Sequence, residues 1–199
     1  VGTTLSVVQI GITEGFIQGN GNNLTVNMSG GGNGYMWMVS SILDNVPTVT
    51  LANANSHIVV QNMNFGSTTL TTTGATDVQL RIGTLGAVNL GVNAKFNAAT
   101  AGDSYVNGPV ILAAGSTAST WQAVFNSSLT INGNITGGTA GAPTAIAEAI
   151  TRQSGAADLA TITKGSGLVV FGGNANLFTG GLVLQGGTTK IMPLGGSGL

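Results

Sequence analysis

Short runs of alternating or β-branched apolar residues recur along almost the whole chain. Gly, Asn, Ser and Thr separate them, which is the pattern of strands bounded by turns. The runs are Leu5–Ile12, Leu24–Met28, Thr48–Leu51, His57–Phe65, Val78–Ile82, Val88–Val92, Val110–Leu112, Leu129–Ile135, Leu159–Ile162, Leu168–Phe171, Leu182–Leu184 and Thr188–Ile191. The pattern predicts an all-β protein built from many short strands.

Asn-Gly pairs stand between several of these runs. They are Asn20-Gly21, Asn33-Gly34, Asn107-Gly108 and Asn132-Gly133. Both residue types tolerate a positive φ. Such a pair either closes a β-hairpin or forms a left-handed corner in a solenoid coil, and the pairs alone leave both arrangements open.

The segment 143–152 has a different pattern. It is rich in alanine and places Ile146 and Ile150 on one face of a helix, with Glu148 and Arg152 at an i, i+4 spacing. The same residues also fit a strand with Ile146 and Ile150 facing inward. The sequence is equally compatible with a helix and a strand here.

Charged residues are scarce. Asp, Glu, Lys and Arg make up 6% of the 199 residues, and the formal net charge is −1, whereas an ordinary soluble domain is about 25% charged. Five dispersed Lys and Arg residues do not supply the basic surface that nucleic acid requires.

No apolar run approaches the roughly 18 residues of a membrane span. The absence of cysteine excludes disulfides and thiolate metal sites.

A repeat lies in the last part of the chain. Gly165-Ser166-Gly167-Leu168 recurs as Gly196-Ser197-Gly198-Leu199. The residues between the copies include two or three short predicted strands, and self-similarity at such a period is typical of stacked β architectures.

Over residues 165–199 the pattern resembles the autotransporter-associated β-strand repeat of bacterial passenger-type surface proteins. The residues that carry the resemblance are Gly165, Gly167, Leu168, Gly173, Asn174, Phe178, Thr179, Gly180 and Gly181. The resemblance implies a right-handed parallel β-helix on the outside of a bacterium, and it does not imply an enzyme.

The low charge agrees with a parallel β-helix, because identical positions of successive coils stack about 4.8 Å apart and like charges there would repel. We therefore predict a single β-solenoid domain over residues 1–199, with coils of roughly 20–25 residues. The alternative is an antiparallel β-sandwich or jelly roll of the kind found in capsids.

The sequence contains few residues that could form a catalytic site. The carboxylates Glu14, Asp44, Asp77, Asp103, Glu148 and Asp158 are dispersed. Asp77 and Asp103 are spaced so that adjacent coils would bring them face to face, but two exposed turn aspartates are the favoured interpretation, with Asp103 in a loop. His57 is the one histidine, and we expect it at the start of a strand. No catalytic residue, metal site or cofactor is predicted, and a carbohydrate-active β-helix enzyme is kept as an alternative.

Tyr35-Met36-Trp37-Met38 concentrates large side chains in four residues. In a strand, Tyr35 and Trp37 share one face and the two methionines share the other. One face belongs in the core. The other is either an exposed apolar patch formed by Tyr35 and Trp37, which would mark an interaction site, or a face buried under a loop.

Neither end of the chain has a polar capping repeat of the kind that keeps solenoids soluble. We therefore predict end-to-end assembly of a non-catalytic structural protein into a surface filament or an adhesive fibre, with Leu5, Val7, Leu194 and Leu199 near the junction. The predicted partners are further copies of the chain, in a head-to-tail homopolymer, and cell-surface glycans. Because the chain begins at Val1 and not Met, we expect an extracellular or cell-surface protein whose leader has been removed.

Overall fold

In the described part of the chain, the short apolar runs contain strands that form the straight sides of coils, and the runs Leu5–Ile12 and Leu129–Ile135 each include parts of two strands. The computed structural model describes residues 3–7, 9–28, 34–116, 120–124, 127–138, 144–149, 168–171, 177–178, 182–184 and 188–191, with side chains over 9–27, 34–116, 121–123 and 127–138. Every strand pair within these ranges is parallel. The protein is a β-solenoid, as predicted, and the antiparallel sandwich is wrong.

The strands form three long parallel sheets. Sheet 1 contains β1 (Thr3–Val7), β4 (Leu24–Met28), β7 (Thr48–Leu51), β9 (Thr69–Thr72), β12 (Val88–Leu90), β15 (Val110–Leu112), β18 (Ile135–Gly137) and β21 (Leu177–Phe178). Sheet 2 contains β2 (Gln9–Thr13), β5 (Tyr35–Val39), β8 (His57–Gln61), β10 (Asp77–Arg81), β13 (Lys95–Ala98), β16 (Thr120–Val124), β19 (Thr144–Ala149) and β22 (Leu182–Leu184). Sheet 3 contains β11 (Thr84–Leu85), β14 (Gly102–Val106), β17 (Ser127–Ile131), β20 (Leu168–Phe171) and β23 (Thr188–Ile191), and a separate pair joins β3 (Phe16–Gln18) to β6 (Ile42–Asp44).

The coils differ in length. Side-chain hydrogen bonds between neighbouring coils join residues 18 positions apart at Asn89 and Thr71 and 25 positions apart at Asn132 and Asn107. Paired strand residues are further apart elsewhere, 26 positions between Gln9 and Tyr35 and 40 positions between Ser128 and Leu168. The predicted length of roughly 20–25 residues is therefore wrong for the shortest coil and for the longest ones. The right-handed sense of winding stays a prediction.

The core is a continuous stack of side chains that follows the coils. Inward positions of sheet 2 form two neighbouring columns, which consist of Met36, Ile58, Val78, Phe96 and Trp121, and of Met38, Val60, Leu80, Ala98 and Ala123. The two aromatic rings meet edge to face, with centroids 6.0 Å apart. Each ring has an alanine two residues further along its strand, so a small side chain beside a large one keeps the layer volume nearly constant.

The corner that follows sheet 2 has one backbone conformation in four coils. Glu14, Ser40, Asn62 and Ile82 have φ angles of 50°, 46°, 48° and 57°. Backbone bonds such as Ser40 N–H to the Gln61 carbonyl (2.9 Å) continue the ladder around this corner. A positive φ is unfavourable for a β-branched residue, so the stacking imposes this conformation on Ile82.

The corner that follows sheet 3 is a stack of glycines. A Cβ built on Gly86 would lie 2.5 Å from the Gly66 carbonyl oxygen, and one on Gly108 would lie 2.6 Å from the Ala87 nitrogen. Gly133 continues the stack against Gly108. The Asn-Gly pairs at 107–108 and 132–133 are therefore solenoid corners and not hairpins.

The structure resolves one local alternative, corrects one expectation and leaves a third untested. Thr144–Ala149 of the segment 143–152 is strand β19, because pairing with β16 and β22 overrides the helix propensity of its alanines. Asp103 belongs to strand β14 and not to a loop. The predicted strand Leu159–Ile162 lies outside the described residues.

Candidate functional site on the outer face of sheet 2

Aromatic and polar side chains face outward from four consecutive strands of sheet 2. Register places Tyr35, His57 and Asp77 side by side, and it places Trp37, Val59, Gln79 and Asn97 in the next column. We call these seven residues the sheet 2 flank. Both columns are fixed by backbone pairing on each side of β8 and β10, so the side chains project from a rigid base.

The aromatic part of the flank is ordered by ring contacts. Tyr35 stacks on His57 with ring centroids 4.4 Å apart and an angle of 8° between the planes. Trp37 meets Tyr35 edge to face at 6.5 Å. Trp37 is 44% exposed, whereas Met36 and Met38 on the opposite face are completely buried. Tyr35 is half-buried, so the exposed apolar surface is mainly the indole of Trp37.

Val59 is a buried apolar residue on the outer face of sheet 2. It points outward, yet it is only 1% exposed and does not belong to the main core. It lies between Trp37 and Gln79 in the register. The larger side chains around it therefore cover it and are held against the sheet.

The polar part of the flank is organised by Asp77. Its carboxylate accepts hydrogen bonds from Gln79 Nε2 at 2.7 Å and from Asn97 Nδ2. His57 Nδ1 lies 3.3 Å from the same carboxylate, and both side chains are largely buried. His57 is the first residue of β8, as expected from the sequence.

Asp77 and Asp103 do not face each other. The residue opposite Asp77 one coil later is Lys95, and the residue opposite Asp103 is Ser128, whose hydroxyl donates to Asp103 at 2.6 Å. The two aspartates do not stack because the coil that follows Asp77 is shorter than the spacing between them, and because they occupy different sheets. Both belong to strands, so the expectation of turn aspartates is wrong as well.

The remaining carboxylates are placed apart. Glu14 lies at a corner and Asp44 on β6, and both are exposed. Glu148 belongs to β19, and Asp158 lies outside the described residues. Within the ranges that the structure describes, no group of three or more His, Asp and Glu residues could hold a metal ion.

The residues predicted at the assembly junction are placed only in part. Leu5 and Val7 belong to β1, the first strand of sheet 1, but their side chains lie outside the description. Leu194 and Leu199 also lie outside it. In the first described coil, Ile10, Ile12 and Ile17 pack against the core but stay partly exposed. The apolar alternation Ile10-x-Ile12 was the available sequence signal for them.

Replacing Asp77 with alanine is expected to lower the free energy of unfolding by about 1–3 kcal/mol, because Gln79 and Asn97 lose a shared, largely buried acceptor. Asp103→Ala is the matched control, since Asp103 is exposed and holds one side-chain partner, and it should cost less than about 0.5 kcal/mol. Urea unfolding followed by circular dichroism measures both. Equal losses for the two variants would contradict the central role of Asp77.

Comparison with known proteins gives no relative for this chain: no protein-family model, no curated protein and no solved structure matches it. The resemblance of residues 165–199 to passenger-type repeats therefore stays a prediction. In the described part of the chain, no helix is long and apolar enough to cross a membrane.

Proposed function

We propose that the chain is a non-catalytic structural protein, a β-solenoid subunit that stacks end to end into an extracellular surface filament or adhesive fibre. The observation that carries the proposal is the partly exposed apolar row of the first described coil. Ile10 pairs with Met36 and Ile12 with Met38. The two methionines are completely buried, whereas the two isoleucines stay partly exposed although they pack against the same core.

The backbone at this end supports the same proposal. Among the described strands, β1 pairs with β4 alone, β2 with β5 alone and β3 with β6 alone. Within the described part of the chain, each of these three strands therefore has one edge without a partner strand, and such an edge is a template for another strand. Strand addition supplies main-chain hydrogen bonds, and apolar side chains such as Ile12 add burial.

The geometry of such a contact favours a filament. The two ends of a solenoid are different surfaces, so their contact is heterologous, and a heterologous contact whose rotation does not close propagates without limit. The scarcity of charged residues also allows coils of two molecules to stack without repulsion between like charges. The surface location rests on the resemblance of residues 165–199 to passenger-type repeats.

Replacing Ile12 with aspartate is expected to reduce the polymerised fraction at a given concentration by about tenfold or more, because a charge at the open end would be desolvated in the junction. Sedimentation of the purified chain measures this fraction. Ile111→Asp is the matched control, since Ile111 is an exposed isoleucine of β15 on the side of the solenoid, and it should sediment like the unmodified chain. A chain that stays monomeric at high concentration, or an Ile12→Asp variant that polymerises unchanged, would overturn the proposal.

A further inference from the structure

We propose that the sheet 2 flank binds a strand of neutral polysaccharide, with Trp37 as the stacking platform and the Asp77 network as the polar half of the site. The proposal does not depend on end-to-end assembly, because all the flank residues belong to one chain and lie on the side of the solenoid. It would give a surface fibre one binding site in every subunit.

The platform follows from the aromatic contacts. The Trp37 indole is 44% exposed, and the edge contact with Tyr35 and the Tyr35–His57 stack fix its surroundings. The face of an aromatic ring carries negative charge density, and the axial C–H bonds of a sugar ring are weakly positive. A sugar ring therefore stacks on an exposed indole, and a rigid platform loses little conformational entropy when it does so.

Among the described residues, the space beside Trp37 on the Gly11 side is open. Its neighbour in β2 is Gly11, and a Cβ at Gly11 would meet nothing within 4 Å. The neighbour of Trp37 on the other side, Val59, is a small side chain and is buried. A flat ring can therefore approach the exposed part of the indole from the Gly11 side.

Polar groups continue the column beyond the platform. Gln79 uses one amide hydrogen on Asp77, which leaves its carbonyl oxygen and its second N–H for a ligand. A sugar hydroxyl both donates and accepts, so it matches an amide better than a purely basic or acidic group. Trp37 and Gln79 are two strands apart, or about 10 Å, which is comparable to the length of two linked sugar rings.

The charges on this face favour a neutral ligand. The ionisable groups on the described outer face of β5, β8, β10 and β13, besides His57 and Tyr35, are one carboxylate, Asp77, and two cations, Arg81 and Lys95. Nucleic acid requires many basic side chains. A peptide that adds as a strand requires a free sheet edge, and here β5, β8, β10 and β13 are each paired on both sides.

The test uses the full chain and a panel of neutral hexasaccharides: cellohexaose, laminarihexaose, mannohexaose and N-acetylchitohexaose. Polygalacturonate and an oligothymidylate serve as charged probes. Calorimetry gives the affinity. The chain contains two tryptophans, Trp37 and the buried Trp121, so fluorine NMR of the fluorotryptophan-labelled chain shows which of them the ligand contacts.

We expect at least one neutral hexasaccharide to bind and to shift the Trp37 resonance alone. Trp37→Ala should weaken binding by about tenfold or more, and Gln79→Ala by about threefold. Tyr105→Ala is the matched control, because Tyr105 is an exposed aromatic residue on β14 of sheet 3, and its affinity should equal that of the unmodified chain.

The proposal is overturned if no neutral hexasaccharide binds, if only a charged probe binds, or if Trp37→Ala and Tyr105→Ala have equal affinities. The Ile12→Asp variant separates this proposal from filament assembly. It should bind the same hexasaccharide with unchanged affinity even where it no longer polymerises.

Discussion

Replacing Gly133 with alanine will destabilise the protein by about 3 kcal/mol, although it adds a single methyl group. A Cβ at Gly133 would overlap the carbonyl group of Gly108, which belongs to the backbone of the preceding coil. A backbone carbonyl cannot rotate away as a side chain does, so two coils would have to separate at this corner. That separation would weaken ladder bonds such as Asn132 N–H to the Val106 carbonyl (2.8 Å).

Two other glycines provide matched controls for this substitution. Gly11→Ala meets open space in strand β2 and should leave stability unchanged or raise it by a few tenths of a kcal/mol, because alanine restricts the unfolded chain. Gly21→Ala also meets open space, but at φ +81°, and should cost about 1 kcal/mol through backbone strain alone. Urea unfolding followed by circular dichroism measures all three variants. A Gly133→Ala protein as stable as Gly11→Ala would show that the corners are not closely stacked.

Truncation of Trp121 to alanine will cost about 3–5 kcal/mol, whereas truncation of Trp37 will cost less than about 1 kcal/mol. Trp121 is 1% exposed and packs edge to face against Phe96, so its removal leaves a large cavity that the paired strands cannot close. Trp37 projects outward from the same sheet, and water already contacts much of its ring.

The two tryptophan variants are compared by thermal and urea unfolding, again with circular dichroism because each variant lacks one fluorophore. Similar losses for both would contradict the assignment of inner and outer faces in sheet 2. The small expected cost of Trp37→Ala also keeps the polysaccharide test interpretable, since that variant should fold normally.

Several strands were predictable from the sequence because local pattern and fold agree there. Thr48–Leu51, Val110–Leu112 and Leu168–Phe171 are strands with the predicted bounds. Each is a β-rich run between turn-forming residues. The Asn-Gly pairs at 107–108 and 132–133 left a hairpin and a solenoid corner open, and the parallel pairing of β14 with β17 decides for the corner.

Other strands are formed by pairing and not by local preference. Lys95–Ala98 lacks a strong apolar alternation, yet it pairs with β10 and β16 on its two sides. Pairing of β10 with its neighbours likewise places Ile82 at a left-handed corner, which the sequence around Ile82 does not predict. Neighbouring coils supply the missing information in both cases, and a single sequence does not show which residues are neighbours.

The sheet 2 flank could be predicted only in part. Tyr35 and Trp37 were recognisable from their alternation with two methionines. The Asp77 network was not, because Asp77 and Gln79 of one strand meet His57 and Asn97 of the two neighbouring coils, and the sequence does not show the lengths of those coils. An assumed constant coil length pointed to Asp103 as the partner of Asp77, and a coil only 18 residues long placed Lys95 there instead.

The most direct test of the account is electron microscopy of the purified full chain at high concentration, combined with fibre diffraction from the same sample. End-to-end stacking predicts unbranched filaments about as wide as one solenoid, with a strong meridional reflection at about 4.8 Å because the strands run perpendicular to the fibre axis. The Ile12→Asp variant should show separate short rods under the same conditions. Dispersed monomers of the unmodified chain, closed shells, or filaments that Ile12→Asp leaves unchanged would contradict the account.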